Sequence, residues 1–444
     1  MDNKILDLIE QKDFMLLKEE LTKVRSIDIA EAFDDLDKKN TVILFRLLQK
    51  DKAAEVFSHL TYQQRKDIVS AMNETQLKEI LEEQFFDDKI DFLEEMPSNA
   101  IKRILATATE EERKLVNQFL KYPENSAGSL MTIEYVDLKK EMTVKEALNY
   151  VKKVGMNRET VYTCYVLDEK RKLEGIVSLR KLVLSDEDLL IKEIMEKDII
   201  LTHTTDDREY AANLFKKYDF IALPVVDKEN RLVGIITIDD IVDVMDKVTT
   251  EDFHRMAAME PTDEEYLYTN VFALAKKRIP WLLVLMLSAT FTGGIIGKYE
   301  SVLEAVVTLN MFIPMLMDSA GNAGTQSSTL IIRGLALGQI QMSDYLKVFW
   351  KELRVSSVVG LVLAAVNFFR IITIERISND IALTVSVTLF FTVVIAKVVG
   401  GLLPIIAKKF KTDPAIMAGP LITTIVDALA LIVYFNTAHF ILGV

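Results

Sequence analysis

The stretch Phe312-Ile-Pro-Met-Leu-Met-Asp-Ser-Ala-Gly-Asn-Ala-Gly-Thr-Gln326 lies inside an apolar run that extends from about Val302 to Arg333. It places a proline, a carboxylate, two glycines and side-chain amides where a lipid-facing helix would carry only aliphatic residues. An unsatisfied polar group in the hydrocarbon core costs several kcal/mol, so this stretch must face protein or water. Two interpretations follow: a seam of small residues that packs helices closely, or the wall of a permeation path, which the polar residues favour.

Charge is distributed unevenly along the 444 residues, whose formal net charge is -13. Residues 271–444 contain 14 Lys and Arg against 9 Asp and Glu, whereas residues 1–270 contain 39 against 57. Such an acidic soluble part argues against a nucleic-acid partner, because phosphate contacts need a basic surface. It suits either simple solubility or the binding of divalent cations. The single Cys164 excludes an intrachain disulfide.

Residues 1–123 are predicted to be helical and to repeat every 24 residues. Apolar residues recur at that interval in four registers, one of which is Ile29, Ala53, Leu77 and Ile101. A unit of this length accommodates two short helices, so we predict an α-superhelical N domain built from helical hairpins. Such a domain is a scaffold or a binding surface, and no catalytic constellation is found in it.

A second repeat, of α/β type, follows the turn-forming residues after Tyr122. Strand-like runs end at Asp168 and Asp227, and each aspartate is followed seven residues later by a glycine in a second apolar run. This pair resembles tandem CBS domains, a regulatory module. We place CBS domain 1 at residues 124–187 and CBS domain 2 at residues 188–247.

The CBS resemblance implies at most one adenine-nucleotide site of the usual kind. In that family a Ser/Thr-x-x-Asp sequence at the start of the last helix holds the ribose. The second copy has Thr237-Ile-Asp-Asp240, whereas the first has Ser178-Leu-Arg-Lys181, with lysine at the aspartate position. We therefore expect Thr237 and Asp240 to bind ATP or another adenine nucleotide. A simple helix cap by Thr237 is the alternative.

Residues 248–275 are predicted to form a linker and connecting helix, helical toward its C-terminal end, before a transmembrane domain at residues 276–444. Ten Lys and Arg flank the apolar segments of that domain on one side and three on the other. By the positive-inside rule this predicts a multi-pass protein of the cytoplasmic membrane, with its N-terminus in the cytoplasm and its C-terminus outside. The five apolar segments, each long enough for the ~20 residues that span a bilayer, are 280–297, 302–332, 354–374, 380–406 and 412–443.

The last segment holds the most informative intramembrane charge, Asp427. A lone carboxylate there must be paired, protonated or hydrated beside a cation, and Lys397 is the alternative partner. The sequence Gly419-Pro420 can break the helix and free backbone carbonyls. Residues 271–444 contain no cysteine and one histidine, which favours a hard divalent cation. At this point Mg²⁺, Mn²⁺ and Co²⁺ all stay open.

The domains and three motifs together resemble one family over essentially the whole chain, the MgtE-type magnesium channels and transporters. The resemblance implies a multidomain fold: an all-α superhelical N-terminal domain, α/β tandem CBS domains, a connecting helix and an α-helical transmembrane domain with five helices. The motifs are Arg278-Ile-Pro-Trp-Leu282, Pro314 with Gly321-Asn-Ala-Gly-Thr-Gln326, and Asp413-Pro-Ala leading to Asp427.

The resemblance also implies a homodimer whose pore runs along the two-fold axis between the second and fifth helices. Asp427 matches the pore aspartate of the family, which holds hydrated Mg²⁺. At Gly419 the sequence departs from the family, in which an asparagine can precede the proline of the fifth helix. Besides Asp427, we expect the cation pore to include Thr423, Asn322, Gln326, Gly419 and Asp413, although Asp413 also suits a helix cap.

In this family, cytosolic Mg²⁺ bridges acidic faces of the N domain, the CBS pair and the connecting helices, and the pore then closes. Like charges brought together repel, and a divalent ion removes that repulsion, which makes closure depend on its concentration. The carboxylates that we expect to bind regulatory Mg²⁺ are Glu55, Asp87, Asp91, Asp207, Glu209, Asp219, Asp240, Asp243, Glu251 and Asp252.

We therefore interpret the sequence as a Mg²⁺-selective, Mg²⁺-gated channel or transporter for magnesium uptake, with Mg²⁺ as substrate and regulator. A Mn²⁺ or Co²⁺ transporter and a membrane-anchored nucleotide-sensing receptor are the alternatives. An enzyme is not expected, because the sequence shows no nucleophile-base pair, phosphate-binding loop or metal-ligand cluster.

Overall fold

The computed structural model describes residues 5–443 except 6, 10, 12, 96–100, 102–104, 106–107, 263–265 and 268. The chain divides into two compact units, Met1–Met245 and Asp246–Val444. The first holds the N domain and the CBS pair, and the second holds the apolar C-terminal part with the segment that precedes it. Each unit is described by itself below.

The N domain is a series of short helices, as the 24-residue repeat predicts. Three of them begin with a reciprocal cap, in which a side chain and the residue three positions later bond each other's backbone N–H groups; the capping residues are Thr61, Asn73 and Thr109. The helices are α1 (Phe14–Leu21), α2 (Ser26–Glu31), α3 (Lys38–Leu47), α4 (Lys50–Ser58), α5 (Tyr62–Ala71), α6 (Glu74–Glu83), α7 (Phe86–Glu95) and α8 (Glu110–Phe119).

Aromatic side chains form the centre of the N domain. Phe33, Phe45, Phe57 and Phe92 are almost completely buried and contact one another in sequence, edge to face, with ring centroids 5.0–6.5 Å apart. Each buried phenylalanine contributes about 1.5–3 kcal/mol relative to an exposed one. Phe33 and Phe57 occupy the same position of successive 24-residue units, so the repeat in the sequence is also a repeat in the core.

The CBS pair contains two three-stranded sheets of the same topology. In each, the first strand is parallel to the second and the second is antiparallel to the third, in the orders β1-β2-β3 and β4-β5-β6. The elements are α9 (Ala127–Leu130), β1 (Val136–Leu138), α10 (Val144–Val154), β2 (Thr163–Leu167), β3 (Leu173–Ser178), α11 (Leu179–Leu184), α12 (Ile191–Ile194), β4 (Thr202–His203), α13 (Arg208–Tyr218), β5 (Ala222–Val226), β6 (Leu232–Thr237) and α14 (Ile238–Met256).

Each CBS copy packs a methionine against a glycine of the other copy. Met195, which opens the second copy, packs against Gly175 of the first, and Met131 of the first packs against Gly234 of the second. A Cβ atom at Gly175 would lie 2.7 Å from the Met195 sulfur, and one at Gly234 would lie 2.6 Å from the Thr132 carbonyl oxygen. Both glycines of the sequence repeat are therefore needed for close packing between the copies.

The second unit begins within α14 and continues into long apolar helices. The connecting region differs from the sequence expectation: α14 runs to Met256, and the next helix begins only at Val271 because Asn270 caps it by accepting from the Phe272 N–H at 2.9 Å. The helices of the second unit are α15 (Val271–Lys298), α16 (Glu300–Ala305), α17 (Ile313–Ala336), α18 (Tyr345–Arg370), α19 (Asn379–Lys409) and α20 (Pro420–Leu442).

Among the described residues, four helical stretches are long and apolar enough to cross a membrane: Val271–Lys298, Met342–Glu375, Asn379–Lys409 and Pro414–Leu442. Helix α17 corresponds to the second predicted span. Its 24 residues extend about 36 Å, but its polar stretch lowers its mean hydropathy. The count of five spanning helices therefore stays a prediction.

Helix α17 lies at the centre of the membrane domain and packs closely against α19 and α20. A Cβ atom at Gly400 would lie only 2.3 Å from the Gly324 carbonyl oxygen, so α17 and α19 touch backbone to backbone at these two glycines. A buried hydrogen bond of 2.9 Å from the Tyr434 hydroxyl to the Leu309 carbonyl fixes the other end of α20. These contacts decide which residues of α17 are left exposed.

Candidate functional site

Helix α17 presents a polar stripe that the rest of the membrane domain does not cover. Asp318, Asn322 and Gln326 follow one another at intervals of four residues and are all exposed, so they share one face of the helix. The Asn322 amide donates to the Asp318 carboxylate at 3.2 Å. The opposite face, which includes Ala320 and Ala323, is buried. A carboxylate and two amides thus lie on an open surface of an otherwise apolar helix.

Helix α20 brings Asp427 next to this stripe. Thr423 contacts α17 so closely that a Cβ atom at Gly321 would lie 2.9 Å from its methyl group. One turn further along α20, the Asp427 Oδ1 atom is buried and, within the part of the chain that the structure describes, has no hydrogen-bond partner. The carboxylates of Asp427 and Asp318 interact electrostatically. Asp318 therefore joins the candidate pore residues, although the sequence analysis did not select it.

Lys397 is not the partner of Asp427. Only 6% of its surface is exposed, and its Nζ atom donates to the Gln326 amide oxygen at 3.1 Å. The ammonium group thus holds one end of the polar stripe rather than neutralising the carboxylate. Since the described residues give Asp427 no cationic partner, a buried carboxylate oxygen is left for an ion or its water.

Asp413 lies in a second acidic group, which we call the linker cluster: Glu251, Asp252 and Asp413, with Arg255 among them. Asp413 caps the short 3₁₀ turn that follows it, accepting from the Ala415 N–H at 2.8 Å. Its other oxygen forms an ion pair with Arg255, which also contacts Glu251 at 3.2 Å. Burial and the nearby Asp413 raise the pKa of Asp252, and Arg255 opposes that rise.

Gly419 has a backbone conformation that explains the departure from the family pattern. Its φ of 49° and ψ of -119° correspond to the first central residue of a type II′ turn, which strongly favours glycine. A Cβ atom would also lie 2.5 Å from the Met256 carbonyl oxygen. Asparagine tolerates the left-handed helical region, but not this one. In this chain Gly419 is therefore required by the turn before α20.

The first unit contains a third group of carboxylates, which we call the N-domain cluster: Asp87, Glu134, Glu159 and Asp240. Asp87, Glu134 and Glu159 each offer an oxygen within 4.8 Å of the others. Asp240 interacts electrostatically with Asp87. The cluster joins helix α7 of the N domain, the segment before β1, the segment after α10 and the start of α14.

Within the described part of the chain, no basic side chain forms an ion pair with the N-domain cluster. The Asp87 Oδ1 and Glu159 Oε2 atoms are buried without hydrogen-bond partners. Burial, reinforced by the neighbouring carboxylates, raises the pKa of Asp87 well above its usual value and that of Glu159 to about 8. Burial also raises the pKa of Asp240 to about 7, although Thr237 donates to it. Carboxylate oxygens that lack a hydrogen-bond partner and an ion pair are suited to a divalent cation such as Mg²⁺.

Glu134 is the most satisfied member of the N-domain cluster. It accepts from the Phe86 N–H at 3.0 Å and so caps helix α7. Burial raises its pKa, while the Phe86 N–H and the charges of Lys89 and Arg158 act in the opposite direction. Neither Glu134 nor Glu159 was selected from the sequence, because both lie outside helices and are brought to Asp87 only by the fold.

The residues of the expected nucleotide motif contact each other. The Thr237 hydroxyl donates to the Asp240 carboxylate at 2.7 Å, and Thr237 is buried. Asp240 also interacts electrostatically with Asp91, so its carboxylate is shared between this motif and the N-domain cluster. The arrangement is a local cap at the start of α14 as well as a candidate ribose contact.

Comparison with known proteins places these features in one family. The model of the MgtE family, a divalent cation transporter, matches residues 313–437; the MgtE intracellular N domain matches 24–125, and the CBS domain matches 127–187 and 191–247. The magnesium transporter MgtE of Thermus thermophilus is 36% identical over 443 residues, covering 98% of this chain and 97% of that protein. The chain belongs to the MgtE family. The magnesium transporter MgtE of Bacillus subtilis is 32% identical, covering 96% and 93%.

MgtE structures also resemble the soluble part of this chain. The crystal structure of the cytosolic domain of the Mg²⁺ channel MgtE in complex with ATP is 36% identical, with a TM-score of 0.53, covering 55% of this chain and 100% of that one. The crystal structure of the soluble part of a magnesium transporter is 29% identical, with a TM-score of 0.52, covering 55% and 96%. The multidomain layout predicted from the sequence is thereby confirmed.

Membership of the MgtE family settles the broad class. The protein is a multi-pass membrane protein of a transporter family rather than an enzyme family. The regulatory residues expected for an MgtE protein divide into three sets, one of which, Glu251 and Asp252, belongs to the linker cluster. Asp91 and Asp243 interact with Asp240 and Asp88, respectively, and so extend the N-domain cluster.

The third set of expected residues, Glu55, Asp207, Glu209 and Asp219, lies elsewhere in the first unit. Asp207 caps α13 by accepting from the Glu209 N–H at 2.7 Å, and Asp219 ends the same helix in a left-handed conformation. Glu55 accepts from the Ser26 hydroxyl at 2.6 Å within the N domain. For Glu55, Asp207 and Asp219, no described interaction reaches the N-domain cluster. Their role in Mg²⁺ binding stays a prediction.

Proposed function

We propose that this protein is a Mg²⁺-gated channel or transporter that takes up Mg²⁺ across the cytoplasmic membrane. The observation that carries this proposal is the exposed stripe of Asp318, Asn322 and Gln326 beside the unpartnered Asp427. Polar groups at this depth cannot face lipid without a large cost. They can face a water-filled path, in which carboxylate and amide oxygens are suited to a hydrated hard cation.

We further propose that the path lies on the two-fold axis of a homodimer. The stripe is open in the single chain, so a second copy of α17 and α20 across a symmetry axis would enclose it. Each chain would supply Asp427, Asn322, Gln326 and Thr423. Mg²⁺ dehydrates reluctantly and keeps several waters, so few direct ligands per chain are sufficient. Two relatives are named magnesium transporters, which supports Mg²⁺ rather than Mn²⁺ or Co²⁺ as the substrate.

The orientation is part of the proposal. The basic residues that flank the apolar helices support an N-terminus in the cytoplasm and a C-terminus outside, by the positive-inside rule. The N-domain cluster would then meet cytosolic Mg²⁺. An ion bound between Asp87, Glu134, Glu159 and Asp240 would hold the N domain against the CBS pair by removing the repulsion between their carboxylates. We propose that this ion-dependent docking closes the pore.

A flux experiment tests the pore. Purified protein in liposomes is given a Mg²⁺ gradient, and uptake is compared for the wild type, Asp427→Asn and the control Asp380→Asn, which removes an exposed carboxylate at the start of α19. We expect Asp427→Asn to lose most of the flux and Asp380→Asn to keep it. Equal flux in all three would remove Asp427 from the path. Repeating the assay with Mn²⁺ and Co²⁺ measures selectivity.

We also propose that the CBS pair binds an adenine nucleotide. A relative with 36% identity was crystallised with ATP in its cytosolic domain, and this chain has Thr237 and Asp240 at the ribose-binding motif of its second copy. Titration of the full-length protein with ATP, for the wild type and Thr237→Val, tests this site. Unchanged affinity in the variant would place the nucleotide elsewhere.

A further inference from the structure

A basic pocket opens between helix α8 and the CBS pair, away from both nucleotide motifs. Its cavity volume is about 470 Å³, which lies in the range of small-molecule sites. Three arginines line it, Arg158, Arg171 and Arg231, and Leu115 and Phe119 of α8 form part of its apolar floor. The pocket thus combines positive charge with a surface against which a small molecule can pack.

The arginines of this pocket are not used for ion pairs. Within the residues that the structure describes, none of the three guanidinium groups makes a salt bridge, and the Nε atom of Arg158 is buried without a hydrogen-bond partner. Arg171 donates to the Tyr135 hydroxyl at 2.5 Å. The Oδ1 atom of Asp227, an acidic residue at the rim, is already bonded to the N–H groups of Glu229 and Arg231. Arg158 also interacts electrostatically with Glu134, and a second carboxylate, Asp137, lines the pocket. Arg171 and Arg231 are therefore the guanidinium groups most available to an anion.

Two equivalent turns bring the arginines together. The β2–β3 turn and the β5–β6 turn pair through backbone hydrogen bonds, from the Leu232 N–H to the Arg171 carbonyl at 2.9 Å and from the Leu173 N–H to the Asn230 carbonyl at 3.2 Å. Arg171 and Arg231 come from different CBS copies, so the pairing of the copies creates the pocket.

The conformation of Arg171 is an independent sign of function. Arg171 and Asn230 occupy the same position of the two turns, three residues after Asp168 and Asp227, and both have positive φ angles, 64° and 59°. Asparagine enters this left-handed region readily, whereas arginine is seldom found there. The first copy thus keeps a guanidinium group at a position whose backbone favours glycine or asparagine, which is typical of a residue retained for binding.

From this geometry we propose that the pocket binds a small anion that carries phosphate. Guanidinium groups match phosphate oxygens with paired, charge-assisted hydrogen bonds, and three of them converge here with the Tyr135 hydroxyl. Because α8 forms one wall and the two CBS turns form the other, a bound anion joins the N domain to the CBS pair. The anion would neutralise arginine charge in this pocket, whereas Mg²⁺ would neutralise carboxylate charge in the N-domain cluster.

Direct binding tests this proposal without reference to transport. Full-length protein in detergent and in Mg²⁺-free buffer is titrated calorimetrically with inorganic pyrophosphate and, separately, with AMP. We expect Arg171→Gln with Arg231→Gln to weaken binding of the tighter probe by about tenfold or more, since two charge-assisted contacts are lost. The matched control is Arg180→Gln, an exposed arginine in the nucleotide motif of the first CBS copy, which should change the affinity less than about twofold.

The outcomes separate the sources of the anion. Pyrophosphate binding that requires Arg171 and Arg231 supports a free phosphate ligand, and AMP binding with the same requirement supports a nucleoside phosphate. Binding that is kept in the double variant, whether or not it is lost in Arg180→Gln, would assign the anion to another cleft and overturn the proposal. So would a failure of both probes to bind at millimolar concentration. Arg158→Lys, which keeps the charge but not the planar fork, provides a milder variant if the double variant unfolds.

Discussion

The N-domain cluster and the linker cluster are both groups of acidic side chains, but they differ in their counter-charge. Asp87 and Glu159 have buried oxygens without partners, and no arginine or lysine in the described part of the chain forms an ion pair with them. In the linker cluster, Arg255 contacts both Glu251 and Asp413. The two clusters are alike in acidic composition, but among the residues that the structure describes only the linker cluster contains a basic residue that forms ion pairs with its carboxylates.

The difference indicates which cluster needs an ion from solution. Burial raises the pKa values of Asp87, Glu159 and Asp240, and neighbouring carboxylates raise them further. Keeping these groups ionised therefore costs free energy unless they bind protons or a cation. The linker cluster carries its own cation, so Mg²⁺ there must compete with Arg255. We therefore expect the N-domain cluster to determine most of the dependence of closure on Mg²⁺, and we order the following predictions by the size of their effects.

The largest effect is expected from removing charge in the N-domain cluster. The double variant Asp87→Asn with Glu159→Gln keeps the shapes of both side chains but removes two candidate ligands. The Mg²⁺ concentration that halves the flux should rise by about 10- to 100-fold, since even supporting residues of metal sites contribute this much. Flux into liposomes at increasing cytoplasmic-face Mg²⁺ measures it.

The control for the double variant removes an exposed carboxylate elsewhere in the same unit. Asp188→Asn lies outside both clusters and should shift the half-inhibitory concentration less than about twofold. If the double variant closed at the same Mg²⁺ concentration as the wild type, the N-domain cluster would not be the sensor. Flux at very low Mg²⁺ should be equal in all variants, because the path itself is unchanged.

A pH dependence of about tenfold per unit is the next effect in size. The folded-state pKa values of Glu159 and Asp240, about 8 and about 7, exceed their ordinary values, so the assembled cluster binds protons that separated carboxylates release. Its Mg²⁺-free stability is therefore highest at low pH and is lost as the pH rises toward 8. Mg²⁺ must displace those protons, so the half-inhibitory Mg²⁺ concentration should fall as pH rises from 6 to about 8.

The pH experiment compares flux inhibition by Mg²⁺ at pH 6, 7 and 8 for the wild type and Glu159→Gln. The variant lacks the Glu159 carboxyl, whose pKa is raised to about 8, so its dependence on pH between 7 and 8 should be weaker. An equal slope in both proteins would mean that another group titrates. Mg²⁺-free thermal unfolding over the same range should show the opposite trend to Mg²⁺ affinity.

Part of the candidate pore could be predicted from the sequence because helical periodicity is local. Asn322 and Gln326 are four residues apart, and Asp427 is the one carboxylate in its apolar segment besides Asp413 at the segment's start. Asp318 carried the same signal, four residues before Asn322, and was missed. That two of these segments pack together depended on Gly321 and Gly324, small residues whose closeness to α20 and α19 is seen in the structure.

The composition of the acidic clusters could not be predicted in the same way. Glu134 and Glu159 reach Asp87 from segments outside helices, and nothing in their local sequence distinguishes them from solvated carboxylates. Arg255 and Asp413 are 158 residues apart, so their pairing depends on tertiary structure alone. The fold class follows from repeats and periodicity, whereas the neutralisation of each carboxylate is a long-range property.

A moderate effect is expected from removing the internal cation of the linker cluster. Arg255→Gln leaves Glu251, Asp252 and Asp413 without their counter-charge and converts this cluster into one that resembles the first. The half-inhibitory Mg²⁺ concentration should fall about fivefold, corresponding to about 1 kcal/mol for a partly exposed ion pair. Arg255→Lys, which keeps the charge, is the matched control. A rise instead of a fall would mean that the ion pair itself stabilises the closed state.

The smallest effect is expected from Glu134→Gln, although Glu134 belongs to the cluster that needs Mg²⁺. Its carboxylate already accepts from the Phe86 N–H at 3.0 Å and interacts with Lys89 and Arg158. The side-chain oxygen of glutamine can still accept from the Phe86 N–H. The substitution therefore removes only the part of the Glu134 charge that is available to attract the ion. We expect a shift in half-inhibitory Mg²⁺ of about twofold, against tenfold or more when Asp87 and Glu159 are replaced. If Glu134→Gln shifted the half-inhibitory Mg²⁺ concentration as much as that double variant does, Glu134 would ligate Mg²⁺ directly despite its existing hydrogen bond and basic neighbours. Counter-charge would then not explain the difference between the two clusters.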